Sequence, residues 1–139
     1  MQNSDDELRR VLTDTKVIAL VGWSPNPDRP SHYVAAFLAG RGYRVIPINP
    51  AQAGKVANGE VVRTSLSDIT EPVDMVDIFR RSEDVGPVVE EALRALSGLK
   101  TIWMQLGVED AVAAAKARTV GVQVVMNRCP AIEIPRLGL

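Results

Sequence analysis

The chain has 139 residues, 46% of them hydrophobic and 24% charged, which is the composition of a globular domain rather than of a disordered segment. Its formal net charge of −1 lacks the basic excess of most nucleic-acid-binding domains, so we expect no nucleic-acid partner. The single cysteine cannot form an internal disulfide, and the sequence has neither an apolar run of about 18 residues nor an apolar leader. We therefore expect a cytoplasmic protein without membrane contact, with one domain over residues 1–139.

The first half of the chain alternates between short apolar runs and amphipathic stretches. An N-terminal helix is predicted over residues 4–13. Residues 16–22 form a continuous apolar run that ends in glycine, which is typical of a strand buried on both faces. Residues 31–40 predict a helix with Ser31 as its N-cap, and residues 43–48 predict the second strand.

The second half repeats this alternation after a weaker stretch. Residues 51–69 are polar and contain two glycines, so we expect an irregular link with at most a short helix and a short strand near residues 61–62. Beyond this link the pattern predicts, in chain order, a strand (73–79), a helix (85–96), a strand (101–106), a helix (109–119) and a strand (122–126).

Strands that alternate with helices in this way lie parallel and are joined by right-handed crossovers. The prediction is an α/β fold, a Rossmann-like, doubly wound sheet of five parallel strands between two layers of helices. We expect the strand order 3-2-1-4-5, with strands numbered along the chain. In such sheets ligands bind beyond the carboxyl ends of the strands, so the loops after strands 1 to 4 should form the site.

The loop after the first strand predicts an anion site. Gly22 allows a sharp turn off the strand, and the following helix points its free N–H groups back at the loop, where a phosphate or pyrophosphate binds well. Three prolines within residues 25–30 stand where a dinucleotide-binding fingerprint has glycines, so this is not a G-x-G-x-x-G motif. The side chains of Ser24, Arg29 and Ser31 can supply donors in place of the missing N–H groups.

The loop after the second strand argues against NAD. NAD-binding domains usually place Asp or Glu there to hold the ribose hydroxyls, whereas this chain has Asn49 followed by Pro50. A neutral Asn near Arg44 and Lys55 tolerates a phosphate on the ribose. Coenzyme A carries such a phosphate at the 3′ position and NADP carries one at the 2′ position, so both ligands stay possible at this step.

Five segments, taken in order, carry a family resemblance: residues 21–31 (VGWSPNPDRPS), 42–50 (GYRVIPINP), 73–81 (VDMVDIFRR), 103–107 (WMQLG) and 127–130 (NRCP). Together they span nearly the whole chain. In this set the chain resembles the small single-domain CoA-binding proteins, which are similar to the CoA-binding domains of succinyl-CoA synthetase and of ADP-forming acyl-CoA synthetases.

The resemblance implies where a bound CoA lies. The first loop would hold the phosphates, residues 49–50 and 79–80 would flank the adenosine, and the end of the fourth strand would border the pantetheine arm. Two positions depart from the pattern, because the synthetases have lysine where this chain has Ala51 and the small relatives often have aspartate where it has Asn127. The predicted ligand-binding residues are Gly22, Trp23, Ser24, Pro25, Asn26, Arg29, Pro30, Ser31, Asn49, Pro50, Lys55, Phe79, Arg80, Gln105 and Gly107.

The sequence contains no catalytic or metal-binding constellation. The synthetases act through a phosphorylated histidine on a separate domain, and His32, the only histidine, matches no such motif. Cys129 is the one candidate nucleophile, but no base is placed beside it, and one His and one Cys cannot supply the four ligands of a closed zinc site. We therefore expect a protein that binds CoA or an acyl-CoA and is not an enzyme.

Two alternatives stay open. One is an NAD(P)-dependent oxidoreductase or redox sensor on the same fold, which the absent acid after the second strand disfavours. The other is a subunit that contributes this domain in trans to a larger acyl-CoA synthetase, with a synthetase-like partner. A homodimer is also compatible with a small sheet, although no segment predicts one.

Overall fold

A computed structural model describes residues 3–139, so residues 1 and 2 of the predicted domain lie outside the described residues. Its centre is a parallel sheet, which confirms the predicted Rossmann-like α/β fold. The strands of the chain, in order, are β1 (Val17–Val21), β2 (Arg44–Ile48), β3 (Val56–Ala57), β4 (Glu60–Val61), β5 (Met75–Ile78), β6 (Thr101–Met104) and β7 (Gln123–Val125). All of them except β3 and β4, which form a short antiparallel hairpin, belong to the central sheet.

Helices cover both faces of the sheet, as predicted. They are α1 (Asp5–Asp14), α2 (Pro30–Gly40), α3 (Val85–Ala95), α4 (Ala111–Thr119) and α5 (Pro130–Arg136). One core lies between the sheet and the buried residues of α3 and α4, and the other lies between the sheet and α1, α2 and α5. Because both faces are covered, β5 and β6 are buried at every position, which explains why they are apolar apart from Asp77 and Thr101.

The strand order differs from the prediction in one place. The third predicted strand, β5, was expected outside β2, but it pairs with β1 on one side and with β6 on the other. The observed order is β2-β1-β5-β6-β7, which makes β2 an edge strand. The expected order 3-2-1-4-5 is therefore wrong, and the sheet reads 2-1-3-4-5 when its strands are numbered along the chain.

The irregular link between β2 and β5 explains this order, because it returns along the free edge of β2. The Arg63 N–H donates to the Pro47 carbonyl at 2.9 Å, and the Asn49 N–H donates to the Arg63 carbonyl at 3.0 Å. Pro47 faces that edge without an N–H to offer, which is how proline is accommodated in a sheet. With this edge occupied, β5 pairs on the opposite side of β1.

Two details of the helices also differ from the prediction. The N-cap of α2 is Arg29, which makes no side-chain capping bond, and Ser31 is buried in the first turn instead of capping it. Helix α5 was not predicted at all, because it has only seven residues and carries a proline at each end of its sequence, Pro130 and Pro135. Within the described part of the chain, no helix is both long enough and apolar enough to cross a membrane.

Candidate functional site

A cleft of about 710 Å³ opens at the carboxyl edge of the sheet. The adjacent strands β1 and β5 lead to helices on opposite faces of the sheet, α2 and α3. The chain segments that follow these two strands therefore separate beyond the sheet edge and leave a crevice between them. The predicted site residues that line the cleft are Gly22, Trp23, Ser24, Arg29, Pro30, Ser31, Asn49, Phe79, Arg80 and Gln105. The structure therefore brings together residues from four different loops, as the fold predicted.

Gly22 lets the loops after β1 and β5 approach each other closely. Its φ is +93°, and a Cβ at this position would overlap the carbonyl oxygen of Phe79. The Gly22 N–H donates to the carbonyl of Ile48 at 3.0 Å, which links it to the end of β2 as well. Only glycine fits both the backbone conformation and the space at this position.

The rest of the first loop is held by hydrogen bonds within itself. The Ser24 hydroxyl accepts from the Asn26 N–H at 3.1 Å, and the Asn26 side chain accepts from the Asp28 N–H at 3.0 Å. His32 Nδ1 lies 2.9 Å from the Ser24 carbonyl, and its ring packs on Trp23 with the two centroids 5.7 Å apart. These local bonds fix the shape of the loop independently of any ligand.

Asn49 ties the second loop to the first. Its Nδ2 donates to the Trp23 carbonyl at 2.6 Å, and its Oδ1 accepts from the Ala51 N–H at 2.9 Å. Both ends of the carboxamide are therefore engaged with the protein. The predicted neutral residue after the second strand lines the cleft, and its hydrogen bonds hold two loops in register.

The mouth of the cleft is positively charged. Arg29 and Arg80 are exposed, and neither has an ion-pair partner among residues 3–139. Arg81 also lines the cleft but is paired with Glu83 and Asp84, each at 3.2 Å. Two uncompensated guanidinium groups at one opening favour an anionic ligand.

A buried carboxyl group lies beside the cleft floor. Asp77, in the middle of β5, has no exposed surface, and burial raises its pKa well above the usual range. The carboxamide of Gln105, oriented with its nitrogen toward Asp77, is 2.9 and 3.2 Å from the two carboxyl oxygens. Gln105 lines the cleft, so its side chain lies between the buried carboxyl group of Asp77 and the cleft.

A second wall of the cleft was missed by the sequence analysis. It is formed by the start of α5, where Cys129, Ala131 and Ile132 line the cleft. Glu133 holds this helix, because its carboxylate accepts from Arg128 at 2.9 Å and from Arg136 at 2.8 Å. The remaining cleft residues that were not predicted are Tyr33, Val34, Arg81, Asp84, Leu106 and Val108.

Some predicted residues do not line the cleft. Gly107 is turned to the side, where its N–H donates to Asn127 Oδ1 at 2.7 Å, and Lys55 lies in the turn before the β3–β4 hairpin. Pro25, Asn26 and Pro50 lie close in sequence to residues that line the cleft. Contact of all five residues with a ligand stays a prediction. The predicted residues outside the lining are Pro25, Asn26, Pro50, Lys55 and Gly107.

In the described part of the chain, no three His, Cys, Asp or Glu side chains lie close enough to hold a metal ion.

The fold defines a Rossmann-type domain, and its cleft lies at the point where the strand order reverses. Over residues 16–135 the chain matches the model of the CoA binding domain family, and it belongs to this family. The resemblance noted in the sequence is thus confirmed.

Known proteins similar to this chain fall into two groups. It is 38% identical over 130 residues, 93% of each chain, to the uncharacterized protein YneT of Bacillus subtilis (strain 168). The structure of cell-free ID.343 from Thermus thermophilus matches with a TM-score of 0.90 and 36% identity, over 97% of this chain and 99% of that one. The second group consists of longer proteins. One is the dinucleotide forming acetyl-coenzyme A synthetase 1 of Ca. Korarchaeum cryptofilum, which shares the fold at 24% identity and a TM-score of 0.69, over 86% of this chain and 27% of the synthetase.

Proposed function

We propose that this chain binds coenzyme A, free or acylated, in the cleft at the carboxyl edge of the sheet, as a single domain without catalytic activity of its own. The observation that carries the proposal is the cleft itself, whose mouth holds the unpaired cations Arg29 and Arg80 in a chain of the CoA binding domain family. CoA is an anion with a pyrophosphate and a ribose phosphate, so unpaired guanidinium groups suit it.

The end of β2 supports CoA over NAD. Asn49 occupies the position where NAD-binding domains usually have an acid, and its side chain is already bonded to Trp23 and Ala51. The one acid that lines the cleft, Asp84, is paired with Arg81. No free carboxylate in the described lining therefore opposes a ribose phosphate.

The test is a calorimetric titration of the whole chain with CoA, dephospho-CoA, NAD and NADP. We expect CoA to bind most tightly and dephospho-CoA to bind more weakly, because it lacks the 3′-phosphate. Preference for NAD or NADP would overturn the proposal in favour of an oxidoreductase or redox sensor. Binding of none of the four would also overturn it, and would favour a subunit that needs a synthetase-like partner.

Charge variants test where the ligand binds. Arg29→Gln and Arg80→Gln are each expected to weaken CoA binding about tenfold, because each removes a charge-assisted contact. Arg118→Gln is the matched control, since Arg118 is equally exposed and unpaired among the described residues but lies on α4, on the other face of the sheet. Equal affinities for all three variants would place CoA outside this cleft.

The absence of catalysis has a separate test. An acyl-CoA incubated with the chain, alone and with ATP or ADP, is expected to keep its thioester, because the described lining of the cleft pairs no nucleophile with a base. Chromatography of the nucleotide fraction measures this directly. Release of free CoA at a rate that follows protein concentration would show that the chain is an enzyme.

A further inference from the structure

Asp77 is a buried acid that the proposed binding site does not explain. Two acidic residues of the described chain are buried, and the other, Glu133, is neutralised by two arginines. Asp77 has no cation within ion-pair distance among residues 3–139. Its neighbours across the sheet are Leu20 on β1 and Trp103 on β6, both apolar and fully buried.

A carboxyl group in such a place lowers the stability of the fold. Burial of an acid without a cation is unfavourable, and an apolar residue of the same volume would fit better between Leu20 and Trp103. Stability therefore gives no reason for an acid at position 77. Residues that oppose stability in this way are concentrated at functional sites.

The hydrogen bond to Gln105 connects Asp77 to the cleft. With the Gln105 carboxamide assigned so that its nitrogen faces Asp77, that nitrogen is 2.9 and 3.2 Å from the two carboxyl oxygens. Gln105 itself lines the cleft while being 5% exposed. The Gln105 main chain is fixed as well, since its N–H donates to the Ile78 carbonyl at 3.3 Å and its carbonyl accepts from Val108 at 2.8 Å. Asp77 therefore acts on the side chain of Gln105 and not on its main chain.

We propose that Asp77 is a positioning residue of the ligand site, which holds the Gln105 carboxamide in one orientation at the cleft floor so that it meets an amide or carbonyl group of the bound ligand. This inference rests on the proposed binding of CoA, whose pantetheine arm carries two amides. An amide side chain that can rotate offers a donor and an acceptor interchangeably, whereas a fixed one offers a defined group. Asp77 acts entirely through Gln105 and does not touch the ligand.

Three variants test this idea by CoA titration. Asp77→Leu keeps the branched shape of the side chain but removes the acceptor, and we expect about tenfold weaker binding because Gln105 is released. Asp77→Asn restores an acceptor without a charge, so affinity should return to within about twofold of wild type. In the double variant Asp77→Leu/Gln105→Leu, affinity should equal that of Gln105→Leu alone, because a residue that acts only through Gln105 has no effect once Gln105 is gone.

Asp74 supplies the matched control on the same segment. Its carboxylate accepts from the Lys16 and Val17 N–H groups at the opposite end of the sheet, so Asp74→Asn should change thermal stability but leave CoA affinity unchanged. Unchanged affinity in Asp77→Leu, or additive losses in the double variant, would overturn the inference while CoA binding stands. Failure of the wild-type chain to bind CoA would instead overturn the proposed function.

A measurement on the wild-type chain covers the case in which Asp77→Leu does not fold. The side-chain NH₂ protons of Gln105, observed by NMR in isotopically labelled protein, should exchange slowly with solvent because the group is buried and bonded to Asp77. Asp77→Asn should retain this protection. Exchange as fast as that of an exposed glutamine would show that nothing holds the carboxamide, and the inference would be wrong.

Discussion

The two walls of the cleft are built in different ways. Within the α2 wall, residues 22–34, the part from Ser24 to His32 is shaped by bonds between residues close in sequence, such as Ser24 with Asn26 and His32 with Ser24. The start of this wall, Gly22 and Trp23, is bonded instead to the end of β2. The α5 wall, residues 127–134, is held by distant residues: the Trp103 Nε1–H donates to the Arg128 carbonyl at 2.7 Å, and α5 is joined to α1 through Arg136 and Asp5. The shape of the loop from Ser24 to His32 is therefore determined by its own sequence, whereas the position of α5 depends on contacts with β6 and α1.

The largest effect is expected at Gly22, where the α2 wall meets the loop after β5. In Gly22→Ala the new Cβ meets the Phe79 carbonyl, and the residue also has to adopt a φ of +93°. We expect a loss of about 2–5 kcal/mol in the free energy of unfolding, measured by chemical denaturation, from strain and overpacking together. CoA binding should be lost in the fraction that remains folded, because the loops after β1 and β5 are forced apart.

Gly42→Ala is the matched control for this variant. Gly42 has nearly the same φ, +96°, but a Cβ there meets nothing within 4 Å. Only the backbone strain should appear, about 1–2 kcal/mol, with CoA affinity unchanged. Equal effects of the two substitutions on stability and binding would mean that the close approach of the two loops does not matter.

The same contrast explains which parts of the fold could be predicted. Each strand of the central sheet was found from its apolar run, and the loop after β1 was predicted as part of the site from Gly22 and the helix start that follows it, because these signals are local. The strand order was wrong because it depends on where the link after β2 runs. Pro47 was the available signal, since a proline within a strand favours an edge position, and β2 is the edge.

The site followed the same rule. Most cleft residues of the α2 wall and the two arginines at the mouth were predicted because they lie in loops that follow strands, whereas Tyr33 and Val34, inside α2, were not. The α5 wall was missed because a seven-residue helix with two prolines has no usable periodicity. The pairing of Asp77 with Gln105 was equally invisible, because the two residues come from different strands and meet only when β5 and β6 are side by side.

The α5 wall is tested by Glu133→Gln, which keeps the shape of the side chain but removes its charge. The expected loss is about 2 kcal/mol, less than for a fully buried pair because Arg128 and Arg136 are partly exposed and can be hydrated. Hydrogen exchange of the α5 amides should accelerate more than that of α2. An equal acceleration in both helices would contradict a separate anchoring of the two walls.

A surface ion pair provides the control for this charge removal. Glu90 and Lys116 are 2.5 Å apart but both more than half exposed, so Glu90→Gln is expected to leave the free energy of unfolding unchanged within measurement. CoA affinity should also stay at the wild-type value. If Glu90→Gln destabilised the chain as much as Glu133→Gln, the burial of Glu133 would not be the reason for its effect.

The cleft floor, which both walls share, gives an effect that depends on pH. Burial raises the pKa of Asp77, whereas in the unfolded chain an aspartate ionises near pH 4. Between these two values the folded state keeps a proton that the unfolded state has lost, so stability falls as the pH rises, by about 1.4 kcal/mol per unit. Carboxylates with a lowered pKa, such as Glu71, act in the opposite sense, but their contribution is complete above about pH 5.

Denaturation of wild type and Asp77→Asn from pH 5.5 to 8 separates these contributions, because both proteins share every other titrating group. The difference in their free energies of unfolding should grow with pH in favour of Asp77→Asn, since asparagine has no proton to lose on unfolding. Parallel curves would mean that Asp77 is already ionised in the folded protein. Asp77 would then be a buried carboxylate with no ion-pair partner among the described residues. The electric field at the cleft floor would be stronger than its apolar neighbours, Leu20 and Trp103, indicate.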